Sequence, residues 1–283
     1  MSVIEFKNVA KSYDNEARVI KDFSLEVEEG ELIVFLGPSG CGKTTLLKMV
    51  NKMIPFNDGD IRVMDTLLKD WNTIELRRKI GYVIQQIGLL PHLTIRKNIS
   101  FVQDISKEAT KEEKDKKAEE LIDLVGLDKS LLKRYPREVS GGQKQRIGVA
   151  RALATDPDII LMDEPFGAVD EIARTALQDE LIEIHKKLKK TILFVTHDIQ
   201  EAFKLGTRIV LINDGRIVQC GTKEDLVFRP ANDYVKEFFG TKGFQATLDS
   251  EKIGEFYERV LSNEITLEEF YERIEKPSTN QDI

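Results

Sequence analysis

The sequence is short of cysteine and has no long apolar segment, and both shortages restrict what the protein can be. Its two cysteines, Cys41 and Cys220, do not have the close spacing of metal ligands, which is typical of a reducing compartment. The opening segment MSVIEFKNVAKSYD lacks the apolar centre of a secretory signal. No window approaches the roughly 18 apolar residues of a membrane span. We therefore expect a cytosolic protein that reaches a membrane only through a partner.

Positively charged residues are fewer than negatively charged ones. Lys and Arg number 42 against 49 Asp and Glu, which gives a formal net charge of -7. Binding to nucleic acid depends on clustered Lys and Arg, and this acidic chain has no long basic run. We expect no nucleic-acid partner. Apolar residues make up 41% of the 283 residues, enough for a sizeable core in one large domain or two modest ones.

Apolar runs predict a sheet of buried strands. Short runs that are apolar throughout are typical of parallel strands buried on both faces. The predicted buried strands are Leu32–Leu36, Ile80–Ile84, Ile159–Met162, Thr191–Thr196 and Ile209–Ile212. Val3–Val9 and Ile20–Val27 are predicted as two further short strands. A glycine-rich loop follows Leu32–Leu36, and Thr44–Met53 then has the apolar spacing of a helix. Strand, loop and helix in this order predict an α/β layer fold.

The middle and the end of the chain have a different pattern. From about residue 88 to 154 the pattern predicts helices and little strand, so we expect a helical insertion in an α/β core. Lys107–Lys117 is almost wholly charged and predicts a solvated helix with one packed edge. We predict one domain over residues 1–229 and a helical extension over 230–283. The extension is aromatic-rich over 234–239 and acidic over 248–274, and we expect disorder over 276–283.

The stretch GPSGCGKTT fits the pattern G-x-x-x-x-G-K-[ST]. Backbone N–H groups of such a loop, together with the following helix N-terminus, converge on an anion. Lys43 supplies a cation to the β and γ phosphates, and the Thr44 hydroxyl can hold Mg²⁺. The alternative is a glycine-rich turn without a ligand, which the flanking strand and helix make the weaker reading. The predicted nucleotide-binding residues here are Gly37, Pro38, Ser39, Gly40, Cys41, Gly42, Lys43, Thr44 and Thr45.

This loop serves kinases, GTPases and transport motors alike, so the discriminating residues must lie downstream. Asp163 ends an apolar strand and can bind Mg²⁺ through water, whereas Glu164 can polarise a water molecule. The alternative for this pair is two acids at a surface turn. His197 follows the predicted strand Thr191–Thr196. It is either a polar strand terminus or a catalytic group, and a phosphate site nearby favours catalysis.

A second anion-binding surface is predicted at Ser140, Gly141 and Gly142. These small residues precede a helical pattern in VSGGQKQRIGVARAL, and a helix N-terminus with small donors attracts anions. One nucleotide does not need two such caps from one chain. Two chains that face each other head to tail would give each nucleotide one glycine-rich loop and one of these caps.

Together these motifs resemble the ATP-binding subunit of an ABC transporter, over about residues 3–221. The matching parts, in chain order, are the P-loop at 37–45, the Q-loop at Gln85 in GYVIQQ, the signature at 139–143, Walker B at 159–164, the D-loop at 167–170 and the switch histidine His197. Val139 and Val169 stand where the family usually has Leu, and both stay apolar. Gln86 is an alternative to Gln85, which we choose because it ends the predicted strand directly.

The resemblance implies a P-loop core with a parallel-rich sheet, an N-terminal antiparallel β portion, a helical insertion and a short C-terminal helical tail. It also implies roles for these residues. Tyr13 falls where the family stacks an aromatic ring on adenine, although alone it reads as a core or surface aromatic. The implied ligands of Mg²⁺ are Thr44, Gln85 and Asp163, and the implied catalytic residues are Glu164, His197 and Gln85. The signature residues Ser140, Gly141, Gly142 and Gln143, together with Asp170, are implied to contact the ATP of a second chain.

Within the family, GYVIQQIGLLPHLTIRKNI and VSGGQKQRIGVARALATDPDIILMDEPFGAVD resemble importers of quaternary amines such as glycine betaine, choline and carnitine. The implied partners are ATP, Mg²⁺, a transmembrane permease, indirectly an extracellular substrate-binding protein, and a second copy in an ATP-dependent homodimer at the cytoplasmic face of the membrane. We expect the tandem regulatory module of many such subunits not to carry over to this sequence, because few residues follow the predicted core. The alternatives are import of another small solute, a non-transport process at the membrane, and a soluble ATPase that acts on DNA or ribosomes.

Overall fold

Two β-sheets form the framework of the protein. The computed structural model describes residues 2–13, 18–85, 88–106, 109–167 and 169–248, together with residues 259, 261, 262, 264 and 266. In chain order the strands are β1 (Ser2–Lys11), β2 (Ile20–Glu28), β3 (Leu32–Leu36), β4 (Asp58–Val63), β5 (Thr66–Leu67), β6 (Ile80–Val83), β7 (Ile159–Asp163), β8 (Thr191–Thr196), β9 (Arg208–Asn213) and β10 (Arg216–Gly221).

The larger sheet has six strands in the order β10-β9-β3-β8-β7-β6. All of its pairings are parallel except that of β9 with β10. Every residue of β3, β7 and β8 is buried, which explains their unbroken apolar runs. In this register Leu36 pairs with Thr196 and Asp163 with Val195. The carboxyl ends of the three strands therefore meet at one edge, the usual place of a site in an α/β sheet.

The smaller sheet is antiparallel, in the order β2-β1-β4-β5. Its inward side packs on the larger sheet through edge-to-face aromatic contacts. Phe23 of β2 contacts Phe35 of β3 across the two sheets, with ring centroids 6.0 Å apart, and Phe6 of β1 packs on Phe23 within the smaller sheet at 5.2 Å. Strands β4, β5 and β10 are not predicted from the sequence. They carry few consecutive apolar residues because part of each is exposed.

The helices complete the layers on both sides of the larger sheet. They are α1 (Lys43–Val50), α2 (Thr73–Lys79), α3 (Ile95–Ser106), α4 (Lys111–Leu124), α5 (Gly141–Ala152), α6 (Glu171–Leu188), α7 (Ile199–Leu205), α8 (Lys223–Phe228) and α9 (Asp233–Thr247). The helix predicted over Thr44–Met53 is shorter than expected. It ends at Val50 because Asn51 caps it and Lys52 takes a left-handed conformation, with φ 51°.

Helices α3 to α5 lie between β6 and β7, in the segment predicted as an insertion. Helix α4 begins at Lys111, after a capping box in which Thr110 and Glu113 bond each other's backbone. The charged run from Lys107 therefore reaches beyond the helix start, and residues 107 and 108 lie outside the described residues. Gly81 of β6 lies against the carbonyl of Ala152 at the end of α5, where an added Cβ would be 2.5 Å from that oxygen.

The start of the predicted C-terminal extension packs closely on the core. Val235 and Phe239 of α9 are buried, and the Phe239 ring stacks on Phe203 of α7 with centroids 5.4 Å apart. The predicted acidic helix over 248–274 falls mostly outside the described residues, and the predicted disorder over 276–283 falls wholly outside them. The domain boundary at residue 229 stays a prediction.

Candidate functional site

The glycine-rich loop runs from the end of β3 to the start of α1 and is held close to its neighbours. Gly42 precedes the helix with φ 105°, and an added Cβ there would overlap the Ile20 side chain. A Cβ at Gly37 would overlap the carbonyl of Ile212. Only glycine fits these two positions, because a side chain would both clash and strain the backbone.

Lys43 folds back over this loop instead of extending into solvent. It is 5% exposed, and its Nζ donates to the carbonyl oxygens of Gly37 at 2.7 Å and Pro38 at 2.9 Å. Nζ also contacts Cys41 Sγ at 3.8 Å, and burial raises the pKa of the Cys41 thiol. The loop therefore encloses a cation beside a neutral thiol.

A cleft of about 190 Å³ opens beside the ammonium group. Its lining is made of small polar residues of the loop and the start of α1, together with one acid and one apolar residue. The lining residues are Val19, Ser39, Gly40, Gly42, Lys43, Thr44, Thr45 and Glu164. A buried cation, backbone N–H groups and a helix N-terminus around one cleft are suited to an anion such as a phosphate chain.

Thr44 and Asp163 bring oxygen ligands to the same cleft. Thr44 Oγ1 donates to Asp163 Oδ1 at 2.7 Å, across the gap between α1 and β7. Burial raises the pKa of Asp163, although the bond from Thr44 and the charges of Lys48 and Lys43 oppose this effect. The described ranges contain no group of three or more His, Cys, Asp and Glu placed to hold a metal.

This donor set fits Mg²⁺. Mg²⁺ is usually held by one or two carboxylates, with phosphate oxygens and water completing its shell. A hydroxyl and a single carboxylate beside an anion-binding cleft match this preference, and a bound cation would supply a counter-charge to the buried Asp163.

Glu164 lies at the centre of the predicted catalytic residues. Its backbone has φ 43°. Non-glycine residues rarely adopt this conformation, and those that do are often at functional sites. Its Oε1 lies 3.4 Å from His197 Nδ1, and its Oε2 accepts a bond from Gln85 Nε2 at 3.3 Å. The structure thus brings together the three side chains that the sequence placed at the ends of separate strands.

The position of Gln85 needs one correction. Strand β6 ends at Val83, so Gln85 lies two residues beyond the strand and does not end it. Its side chain reaches Glu164 because β6 runs parallel to β7 with Val83 beside Met162, so the residues that follow the two strands lie side by side. Gln86 lies outside the described residues.

Tyr13 lies at the rim of the loop. Its hydroxyl is 3.4 Å from Thr45 Oγ1, and the ammonium of Lys11 lies 5.0 Å from its ring centroid. The ring is 40% exposed. A cation contacts the aromatic ring, and the exposed part of the ring is available to a planar group.

The signature residues lie at the start of α5, away from the cleft of the glycine-rich loop. Ser140 caps α5 and forms a capping box with Gln143, and Gly141 has open space where a side chain would be. Asp170 caps α6 by accepting from Ala173 N at 3.0 Å. Within the part of the chain that the structure describes, the cleft lining includes none of these residues. A single chain therefore presents its two predicted anion sites apart.

Two residues near the site were not predicted from the sequence. Tyr82 pairs with Leu161, so it lies on the same sheet face as Asp163, and its hydroxyl interacts with that carboxylate. Arg174 lines a small cavity with Glu164 and His197. Tyr82 is found only once the pairing of β6 with β7 is known. Arg174 has a signal in the sequence itself, because it is a cation in the first turns of a helix.

A family model described as ABC transporter matches residues 20–167. The chain belongs to the ABC transporter family. The resemblance seen in the motifs is thus confirmed. The carnitine transport ATP-binding protein OpuCA of Listeria monocytogenes is 50% identical over 238 residues, which are 84% of this chain and 60% of that protein. The choline transport ATP-binding protein OpuBA of Bacillus subtilis is also 50% identical, over 84% of this chain and 62% of that protein.

This ABC transporter family chain therefore spans about three fifths of the length of these curated relatives. Among solved structures, the dimeric ATP-binding cassette MJ0796 in a post-hydrolysis state bound to ADP and Pi is 33% identical. It has a TM-score of 0.70, and the match covers 77% of this chain and 98% of that chain. The predicted α/β P-loop fold, with an antiparallel N-terminal sheet and inserted helices, is confirmed.

Replacement of Lys43 by Ala is expected to weaken ATP binding about tenfold to a hundredfold. The change removes a cation that would make charge-assisted bonds to the phosphates, each worth about 1.5–3 kcal/mol. Equilibrium titration with a fluorescent ATP analogue measures the effect. Lys7→Ala, which removes one exposed charge from β1, is the matched control. Equal affinities for the two variants would contradict the role of Lys43.

Proposed function

We propose that the chain is the ATP-hydrolysing motor subunit of a membrane importer for quaternary-amine osmoprotectants such as glycine betaine, choline or carnitine. The observation that carries the proposal is the convergence at one sheet edge of the Lys43 loop, the Thr44–Asp163 pair and the Glu164–Gln85–His197 group. The names of the relatives in carnitine and choline transport support the substrate class.

In this proposal ATP binds in the cleft beside Lys43. The loop N–H groups and Lys43 hold the phosphates, and the exposed part of the Tyr13 ring receives the adenine. Thr44, Asp163 and Gln85 are the residues that would hold Mg²⁺, which neutralises phosphate charge when bound. Lys43 already donates to two carbonyl groups, so the phosphates take over bonds from a cation that is held in place beforehand.

Glu164 is the acid that takes part in hydrolysis in this proposal, because two neighbours hold its carboxylate in place. Gln85 bonds one oxygen of Glu164, and His197 lies beside the other, so the carboxylate is fixed at the edge of the cleft. Glu164 accepts a proton as the water oxygen attacks the γ phosphorus and the bond to the β phosphate breaks. His197 is then placed to donate a hydrogen bond to the charge that develops on the phosphate.

The second half of each site comes from another copy of the chain. Ser140, Gly141, Gly142, Gln143 and Asp170 of one subunit approach the ATP held by the other. A two-fold interface of this kind is self-complementary, so each chain supplies both halves. The dimeric cassette MJ0796 supports the arrangement.

We further propose that the dimer moves a transmembrane permease at the cytoplasmic face of the membrane, and that an extracellular binding protein delivers the solute to that permease. In the portion of the chain covered by the structure, no helix has the length and apolar character needed to cross a membrane. The apolar segment after Gln85 supports a docking role, as follows.

The segment Gly88 to Leu93 is held firmly although its side chains stay partly exposed. Asn98 of α3 is fully buried. It accepts from Leu90 N at 2.7 Å, and its Nδ2 donates at 3.1 Å to the carbonyls of Leu90, Leu93 and Thr94. The Leu90 and Leu93 side chains remain half-buried. A rigid loop with partly exposed leucines suits a groove that receives a short helix of the permease.

Copurification and reconstitution test the proposed function as a whole. The chain is expected to purify with a membrane permease, and vesicles containing both are expected to hydrolyse ATP faster when glycine betaine, choline or carnitine is supplied with its binding protein. Stimulation by an amino acid alone would overturn the substrate class. Hydrolysis without any membrane partner in cells would overturn the transport role.

Glu164→Gln is expected to retain ATP binding and to lose turnover. Loss of a general base usually costs about 10²–10⁴ in rate, whereas the amide keeps the size of the side chain. Steady-state ATPase assays and equilibrium binding of the same preparation separate the two effects. Turnover at the wild-type rate would place the base elsewhere.

Mixing two inactive variants tests the shared sites. A heterodimer of a Lys43→Ala chain with a Ser140→Arg chain has one intact site and one doubly damaged site. ATPase activity is therefore expected to return in part on mixing, beyond the activity of either variant alone. Absence of recovery, with heterodimers demonstrated by crosslinking, would contradict shared sites that act independently.

Leu90→Asp is expected to abolish assembly with the permease while the isolated subunit still folds and binds ATP. Asn98 fixes the backbone of Leu90 and not its side chain, so the charge disturbs the groove and not the fold. Permease pull-down and solute-stimulated hydrolysis measure the effect, and Ile74→Asp, at a 64% exposed apolar residue of α2, is the control. Unfolding of the Leu90 variant would show that this loop is part of the core, and normal transport would place the docking surface elsewhere.

A further inference from the structure

Arg174 lies where a cation is electrostatically unfavourable unless it has partners. It is the fourth residue of α6, close to the positive end of the helix dipole. Its Nη1 lies 3.6 Å from Glu171 Oε2 and 3.8 Å from Asp198 Oδ2. Among the residues that the structure describes, none is a hydrogen-bond partner of its buried Nε. The anionic neighbours Glu171 and Asp198 offset the unfavourable position of this cation.

The first partner segment is the turn that carries Glu164. Gly167 N donates to the Glu164 carbonyl at 3.2 Å, and Val169 N donates to the Phe166 carbonyl at 3.2 Å. Arg174 Nη2 donates to the carbonyl of Val169 at 3.1 Å. Arg174 thus holds the far end of the turn that begins at Glu164.

The second partner segment carries His197. Asp198, the next residue, caps α7 with its Oδ1, which accepts from Gln200 N at 2.8 Å and Glu201 N at 3.2 Å. Its other oxygen, Oδ2, faces Arg174. Each carboxylate oxygen therefore has a separate task, and the link to Arg174 is additional to the cap.

A small cavity of about 60 Å³ lies between the two segments. Glu164, Gly167, Arg174, His197 and Asp198 are among the residues that line it. Arg174 and the Glu164–His197 contact therefore lie on the same cavity. Arg174 is the residue that contacts both segments, through the Val169 carbonyl and the Asp198 carboxylate.

We propose that Arg174 is a positioning residue, which ties the turn of Glu164 to the segment of His197 and so keeps these two side chains in contact. The inference rests on the proposed ATPase activity for its kinetic consequence and on geometry alone for its structural consequence. Arg174 itself does not touch the cleft lined by the glycine-rich loop.

The kinetic test compares Arg174→Ala with a matched variant on the same two helices. Lys204 of α7 pairs with Asp179 of α6 at 2.6 Å, so Lys204→Ala removes an α6–α7 ion pair away from the catalytic residues. Arg174→Ala is expected to lower kcat about tenfold to a hundredfold, since small misplacements of catalytic groups cost that much, while the KM for ATP changes by less than about twofold. Lys204→Ala is expected to hydrolyse ATP at the wild-type rate.

Two further variants separate positioning from stability. Asp198→Asn keeps a good helix cap but removes the charge that faces Arg174, so kcat is expected to fall in the same direction. The double variant with Arg174→Ala is expected to be no slower than Arg174→Ala alone, because both changes break one link. Arg174→Lys restores one of the two contacts and is expected to recover part of kcat. Additive losses in kcat, or losses that follow the melting temperature in all variants, would overturn the proposal.

A spectroscopic test does not depend on hydrolysis. The chain has three histidines, so the imidazole NMR signals of isotope-labelled protein can be assigned with a His197→Ala variant. Arg174→Ala is expected to shift and narrow the His197 signal, as the ring loses its fixed contact with Glu164, whereas Lys204→Ala leaves it in place. An unchanged His197 signal would overturn the positioning role. Absent ATPase activity in the wild type, with this shift observed, would instead overturn only the proposed function.

Discussion

The parallel register of β3, β8 and β7 is the constraint on which the site depends. Leu36 lies beside Thr196 and Asp163 beside Val195, so the three loops that follow these strands begin at the same edge. Each strand is buried along its whole length, and burial on both faces leaves the strand ends as the place where polar side chains reach solvent. A slip of one strand would separate Thr44 from Asp163 and Glu164 from His197.

Charged side chains lie close together at the same sheet edge, and burying each of them alone would cost free energy. A buried ammonium needs hydrogen bonds to replace water, and Lys43 finds them in the carbonyls of its own loop. Asp163 is buried enough for its pKa to rise, with Thr44, Lys48 and Lys43 acting against the rise. The site is thus satisfied internally, and the bonds of Lys43 to its own loop are ones that a phosphate chain can replace. Binding then needs no large rearrangement of the fold.

The sequence predicts the local parts of the candidate site. The loop from Gly37 to Thr45, the acids at the end of β7 and the helix start at Ser140 depend on neighbours within a few residues, so pattern and spacing suffice to assign them to their elements. Their roles in ATP binding and hydrolysis stay predictions. Contacts between Glu164 and Gln85, or between Arg174 and Asp198, depend on which strands pair and how α6 meets α7. Nothing local encodes these pairings. The end of α1 at Val50 and the partly exposed β4 were missed for the same reason, because packing decides them.

The hydroxyl groups of the site show how folding and function use different parts of one side chain. A hydroxyl has one donor and two acceptor positions. Thr44 donates its O–H to Asp163, and its lone pairs stay available to a cation. Ser140 does the reverse, since it accepts from Gln143 N to cap α5 and keeps its O–H, which suits an anion. The native contacts of both hydroxyl groups therefore persist when the proposed ligands bind, so neither residue gives up a stabilising bond to make a functional one.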